Sequence, residues 1–88
     1  MSTKFSYVEL IKLETEEEAE LFLEDLCTMK ELEAMCQRLK AAKMLLGGKT
    51  YNEIVEETDI SSATLARVSK CIRYGDGGYK AILTKENK

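Results

Sequence analysis

The residues with the most chemistry to offer lie between Thr50 and Ile72, TYNEIVEETDISSATLARVSKCI. The stretch reads as two short helices joined by a tight turn, the layout that lays a second helix in the major groove of double-stranded DNA. On that second helix Ser62, Ala63, Thr64 (in part), Ala66, Arg67, Ser69, Lys70 and Arg73 are left outward. Small residues let the backbone approach a groove closely. Hydroxyls and alanine meet base edges or a thymine methyl, Arg67 addresses guanine or phosphate, and Lys70 and Arg73 suit phosphate. Ahead of them Lys49, Thr50, Tyr51 and Asn52 open the first helix, whose N-terminus is itself an anion site. The candidate DNA contacts are therefore Lys49, Thr50, Tyr51, Asn52, Ser61, Ser62, Ala63, Thr64, Ala66, Arg67, Lys70 and Arg73. The competing reading is a plain helical hairpin, its small residues there for packing and its charges solvated. Against it stand the apolar spacing Ile54, Ile60, Leu65, Val68 and the shortness of the turn, although Glu56, Glu57 and Asp59 must then point away from DNA.

A net charge of −3 is unexpected for a chain that meets phosphate, but the charge is unevenly spread. Residues 1–48 hold six Lys/Arg against ten Asp/Glu (−4), whereas from Ser62 onward the count is six against two (+4). That asymmetry is what an electrostatic footprint for a polyanion requires.

Eighty-eight residues allow one domain, 1–88, with a core small enough that dimerisation is expected to support it. No proline occurs, which favours uninterrupted helices. Three cysteines without a CxxC pair, and no histidine, count against a disulfide framework, a metal site or hydrolytic chemistry. No metal and no cofactor are expected. No apolar run is long enough to span a membrane and no leader opens the chain, so a cytoplasmic protein is expected.

The elements that must position these residues are punctuated by Ser/Thr followed three places later by Glu: Ser6–Glu9, Thr15–Glu18, Thr28–Glu31 and Thr50–Glu53. Each is a candidate capping box. They predict a segment from about Phe5 to Leu13, with Phe5, Val8 and Ile11 or Leu13 inward. An acidic helix follows over about 16–26, burying Ala19, Leu21, Phe22 and Leu26. A long helix over about 29–46 recurs at the helical period through Leu32, Met35, Cys36, Leu39, Ala42 and Leu46. Cys27 and Leu32 are placed for a hydrophobic staple, and Gly47-Gly48 stops this helix. The turn unit, about 50–73, buries Ile54 and Val55 in its first helix. Asp59 sits at the turn, Ile60 anchors it, and Ser61 or Ser62 caps a helix to about Tyr74 with Leu65, Val68 and Ile72 inward. Gly75-Asp76-Gly77-Gly78 breaks that helix, and a last one, Tyr79 to about Glu86, offers Tyr79, Ile82 and Leu83. No segment alternates at the strand period. The expected fold is all-α, with about six helices.

The strings Thr28-x-x-Glu31-x-Glu33-Ala34-x-x-x-Arg38, Leu45-Leu46 before Gly48, and Glu53-Ile54…Ala63-Thr64-Leu65-x-Arg67 resemble the Trp repressor family, and within it the small YerC/YecD group. The resemblance runs from Thr28 to Lys70. It implies an intertwined homodimer whose helix-turn-helix units bind a palindromic operator, and a site where a small corepressor wedges between the long helix and the recognition helix. Carried over residue by residue, that effector site comprises Thr28, Arg38, Thr64, Arg67 and Cys71. Two guanidiniums suit a ligand carboxylate. Val68, however, stands where the repressor has a glycine lining the indole slot, and Cys71 where it has a serine. A valine fills space the indole needs, which counts against L-tryptophan and leaves another small effector open. Intersubunit ion pairing or phosphate contact is the simpler use of Arg38 and Arg67.

Two other classes fit parts of the pattern. A small helical dimeric enzyme of the chorismate mutase type needs neither histidine nor metal, and Arg38, Lys40 and Arg67 could line its site, but it leaves the turn unit unexplained. A protein-interaction module would use the acidic helix Glu16–Asp25 as its docking face.

Overall fold

The computed structural model describes residues 7–85. Phe5, Ser6 and Glu86, expected to start the first segment, cap it and end the last helix, lie outside the described residues. A 3-10 helix, Tyr7–Lys12, precedes five α-helices: α1 (Glu16–Leu26), α2 (Met29–Leu46), α3 (Tyr51–Thr58), α4 (Ser62–Tyr74) and α5 (Gly78–Leu83). No strand occurs among the described residues. The fold is all-α, as expected. Contacts divide the chain into Met1–Leu32 and Glu33–Lys88, with the boundary inside α2.

In the N-terminal unit the caps are local and strong. Thr15 accepts the Glu18 amide through its hydroxyl at 3.1 Å, but Glu18 reaches back to the Glu14 amide at 2.8 Å rather than to Thr15. The expected box is therefore half formed, because the extended backbone at Thr15 brings the preceding amide within reach. Thr28 and Glu31 make the full reciprocal pair, at 3.1 and 2.7 Å. Apolar burial in this unit differs from expectation. Val8, Ile11, Leu21 and Leu26 are exposed, Ile11 by 81%. Ala19, Phe22 and Leu13 are half-buried. The 3-10 geometry explains part of this, since its tighter winding does not keep Val8 and Ile11 on an α-helical stripe.

The core lies in the C-terminal unit, where Ala41, Ile54, Ile60 and Leu65 form a buried cluster with Met44 and Leu45 packed on it. Here α3 packs on α4, and α4 on α5. The long helix ends as Gly47-Gly48 predicts. Gly48 adopts φ +90°, its amide bonds Leu45 O at 3.1 Å, and the Lys49 amide bonds Met44 O at 3.0 Å. These are the paired bonds of a left-handed helix stop. Burial along α2 centres on Ala41 and Ala42. Leu39 and Cys36 are exposed instead of inward, because the α2 face that meets α3 and α4 is the one bearing the two alanines.

Between α3 and α4, Asp59 takes the left-handed conformation at φ 59°. Thr58, a residue without an assigned role in the sequence, organises this turn. Its buried hydroxyl donates to Ile54 O at 2.7 Å and accepts from the Ile60 amide at 3.3 Å. Val55 is 39% exposed rather than inward, since one turn of α3 can bury only Ile54 and Thr58 together. Ser69 is buried at 4%, correcting its assignment to the outer face: it follows Val68 on the side of α4 that packs inward. At the end of α4 a Cβ on Gly75 would collide with the Cys71 carbonyl oxygen, so a glycine is required there. The last helix is shorter than expected, ending at Leu83, where Thr84 turns its hydroxyl back onto Lys80 O. Ile82 is 66% exposed rather than packed.

Burial separates the adjacent pair Ile54 and Val55 sharply. Ile54→Ala should cost about 2–5 kcal/mol in urea unfolding, by cavity formation in the cluster. Val55→Ala should stay within about 0.5–1 kcal/mol, as befits a surface site.

Candidate nucleic-acid interface and the cavity beside it

The outer surface of α4 follows from what the helix buries. With Leu65, Val68 and Ser69 inward, the helical period leaves Ser62, Ala63, Ala66, Arg67, Lys70 and Arg73 exposed, with Thr64 half-buried. No acidic residue interrupts α4, so Arg67, Lys70 and Arg73 form an unbroken cationic face. Arg73 falls in the last turn, where the helix dipole favours a cation. Ser61 caps the helix: its Oγ accepts the Thr64 amide at 3.1 Å and donates to Thr64 Oγ1 at 2.9 Å.

Lys49, Thr50, Tyr51 and Asn52 are all exposed at the start of α3. Here the capping box is complete. The Thr50 amide donates to Glu53 Oε1 at 2.8 Å, and the Glu53 amide to Thr50 Oγ1 at 3.2 Å. Glu53 thus occupies the Thr50 amide. The bond from that amide, more than the bond to the hydroxyl, holds the Glu53 carboxyl below its ordinary value, with the Lys49 charge a smaller contribution. Glu31 is held down in the same way by the Thr28 amide.

Beside the outer face lies a cavity of about 350 Å3 lined by Arg38, Thr64, Arg67, Val68, Cys71 and Tyr79. Four of the five candidate effector residues meet there. Thr28 does not line it; it belongs to the N-terminal unit and spends its hydroxyl on the α2 cap. Arg38 and Arg67 take no ion pair or hydrogen bond among the described residues. Val68, buried to 1% exposure, forms part of the wall. Tyr79 was not singled out as a site residue. Its signals were its place on the packing face of the last helix and its position directly after the glycine turn, which folds α5 back beside α4. Among the described residues no cluster of metal-ligating side chains occurs, and no helix is long and apolar enough to cross a membrane.

Comparison with known proteins agrees with this architecture. The family model for the Trp repressor protein matches residues 4–87. The uncharacterized protein YerC of Bacillus subtilis is 41% identical over 76 residues, covering 86% of this chain and 73% of its own. The crystal structure of a candidate Trp repressor from Staphylococcus aureus superposes with a TM-score of 0.84 at 39% identity, covering 88% of this chain and 77% of that one. A TrpR-like protein from Eubacterium eligens gives a TM-score of 0.83 at 35% identity, covering 92% and 88% respectively.

The Glu53 cap has a pH signature. A depressed carboxyl pKa contributes stability that is present above the unfolded value, near 4.5, and lost as pH falls through the lower folded value. Wild type should therefore be more stable than Glu53→Gln at neutral pH. In paired urea titrations the difference should vanish below the ordinary carboxylate range. A difference independent of pH would show that the carboxylate charge is not what the cap uses.

Proposed function

The chain belongs to the Trp repressor family, and from that premise we propose that it is a DNA-binding transcriptional regulator, a repressor, rather than an enzyme. The observation that carries the proposal is the outer face of α4. Small and hydroxyl-bearing residues occupy its first turns and an uninterrupted series of cations follows. In this reading Ser62, Ala63 and Ala66 lie against base edges, and Arg67 reaches guanine or phosphate. Lys70 and Arg73, with Lys49 and the opening of α3, bind the backbone and set the register.

The regulator acts as a homodimer on a palindromic operator, its two α4 helices about one DNA turn apart. What supports a dimer is the apolar surface of the N-terminal unit, where Val8, Ile11, Leu21, Leu26 and Met29 are exposed in a chain of only 88 residues. The cavity holding Arg38 and Arg67 is the effector site of this reading. Val68, which forms part of its wall, counts against tryptophan as the ligand in this reading and leaves another small effector open.

A random-pool selection should return a palindrome, bound in a salt-sensitive gel shift. Lys70→Ala with Arg73→Ala should weaken the shift strongly without altering circular dichroism, and should flatten the salt dependence of the residual binding by about one unit of slope per phosphate contact removed. Undiminished binding by that variant would take the interface away from α4.

In sedimentation equilibrium the wild type should be dimeric and Ile11→Asp largely monomeric. A monomeric wild type at micromolar concentration would end the dimer assignment.

A further inference from the structure

The outer face of α4 offers few side chains able to tell one base from another by hydrogen bonds. Asn and Gln are the bidentate readers of adenine, and Asp and Glu the acceptors for cytosine. α4 carries none of the four. Asn52 opens α3, the helix that crosses the phosphate backbone in this reading. Two hydroxyls are already engaged: Ser61 Oγ accepts the Thr64 amide at 3.1 Å and donates to Thr64 Oγ1 at 2.9 Å. Thr64 is half-buried and lines the cavity, and Ser69 is buried. That leaves Ser62, a hydroxyl that bonds bases with little discrimination, and the cations, whose preferred base is guanine. Hydrogen bonding from α4 therefore gives no means of choosing an A·T pair.

The same face does present two methyl groups. Ala63 and Ala66 are exposed, and with Arg67 and Lys70 they stand at i, i+3, i+4 and i+7, on one side of the helix. The step between the alanines rises about 4.5 Å along α4, and successive bases of one strand about 3.4 Å. The two methyls thus meet neighbouring base pairs, or pairs one apart. In the major groove the apolar group a base pair displays is the thymine 5-methyl.

We propose that Ala63 and Ala66 are specificity-determining residues that read thymine through its 5-methyl group, so that each half-site carries two thymines within two base steps. This rests on the DNA-binding reading of α4 and commits it to one chemistry, apolar contact in place of hydrogen bonds to adenine. Small side chains admit the helix whichever base they face. What selects thymine is the burial of methyl against methyl, about fourfold in affinity for each group taken out of water. Cytosine in the same place presents its N4 amine and no methyl.

The test uses the full chain and a duplex drawn from random-pool selection, with deoxyuridine replacing thymidine at one position at a time. Uracil keeps the O4 acceptor and the pairing of thymine and lacks only the methyl. With wild-type protein, two positions per half-site should each lose about fourfold in affinity, and the other thymines nothing. Ala63→Gly should remove the difference between thymine and uracil at one of them, and Ala66→Gly at the other. Ala63→Ser and Ala66→Ser, milder in a helix, serve in their place if a glycine variant fails to fold. Exchanging either T·A pair for C·G should weaken binding, and 5-methylcytosine should regain about fourfold. Equal affinity for thymine and uracil at every position would overturn the proposal, as would a methyl effect unchanged in folded variants of both alanines. The two readings fail differently. A shift indifferent to uracil removes the thymine assignment alone, whereas no shift with any selected duplex removes DNA binding and the assignment with it.

Discussion

The structure depends on burying Ile54, Ile60 and Leu65 against Ala41 across a turn of three residues. Each of these side chains belongs to a different segment, so the cluster forms only when α3 and α4 are both folded and set against α2. The alanines matter through their size. Ala41 and Ala42 are fully buried, and small side chains there let α2 approach the pair closely. The turn closes because Asp59 tolerates the left-handed region and because Thr58 satisfies both Ile54 O and the Ile60 amide. A buried amide without such a partner would cost about 1–3 kcal/mol, a large share of what so small a core supplies.

The orientation of α4 follows from that cluster. Once Leu65 and Val68 are inside, the period of 3.6 residues decides that Arg67, Lys70 and Arg73 are outside. The cationic face is thus a consequence of core packing rather than an independent feature. It is also free of neutralising acids: the carboxylates of Glu56, Glu57 and Asp59 sit on α3 and the turn, and α4 carries none.

How much of this was legible in the chain depended on the range of the interaction. Helix boundaries were, because Thr28, Thr50, Ser61 and Gly48 act through bonds to residues three to five positions away. Side-chain burial was less so. Leu39, Val55 and Ile82 carry the right spacing for an inner face, but which face is inner depends on what the other helices bring, and no local pattern encodes that. Ser69 shows the converse, a polar side chain carried inside by its neighbours. The cavity residues Arg38, Thr64, Arg67 and Cys71 were nominated by family resemblance, since spacing alone cannot bring a residue of α2 beside α4. Tyr79 was legible as a packing residue of the last helix but not as a cavity residue, because its place beside α4 follows from the path of the chain through Gly75–Gly78.

Thr64 and Arg67 stand where the two surfaces of α4 meet. Thr64 is tied to the Ser61 cap and lines the cavity, while Arg67 is exposed on the outer face and lines the same cavity. In the proposed reading one guanidinium therefore serves both surfaces, so whatever occupies the cavity and whatever lies against the outer face are coupled through Arg67. Such coupling is reciprocal: each would change the affinity of the other by the same factor.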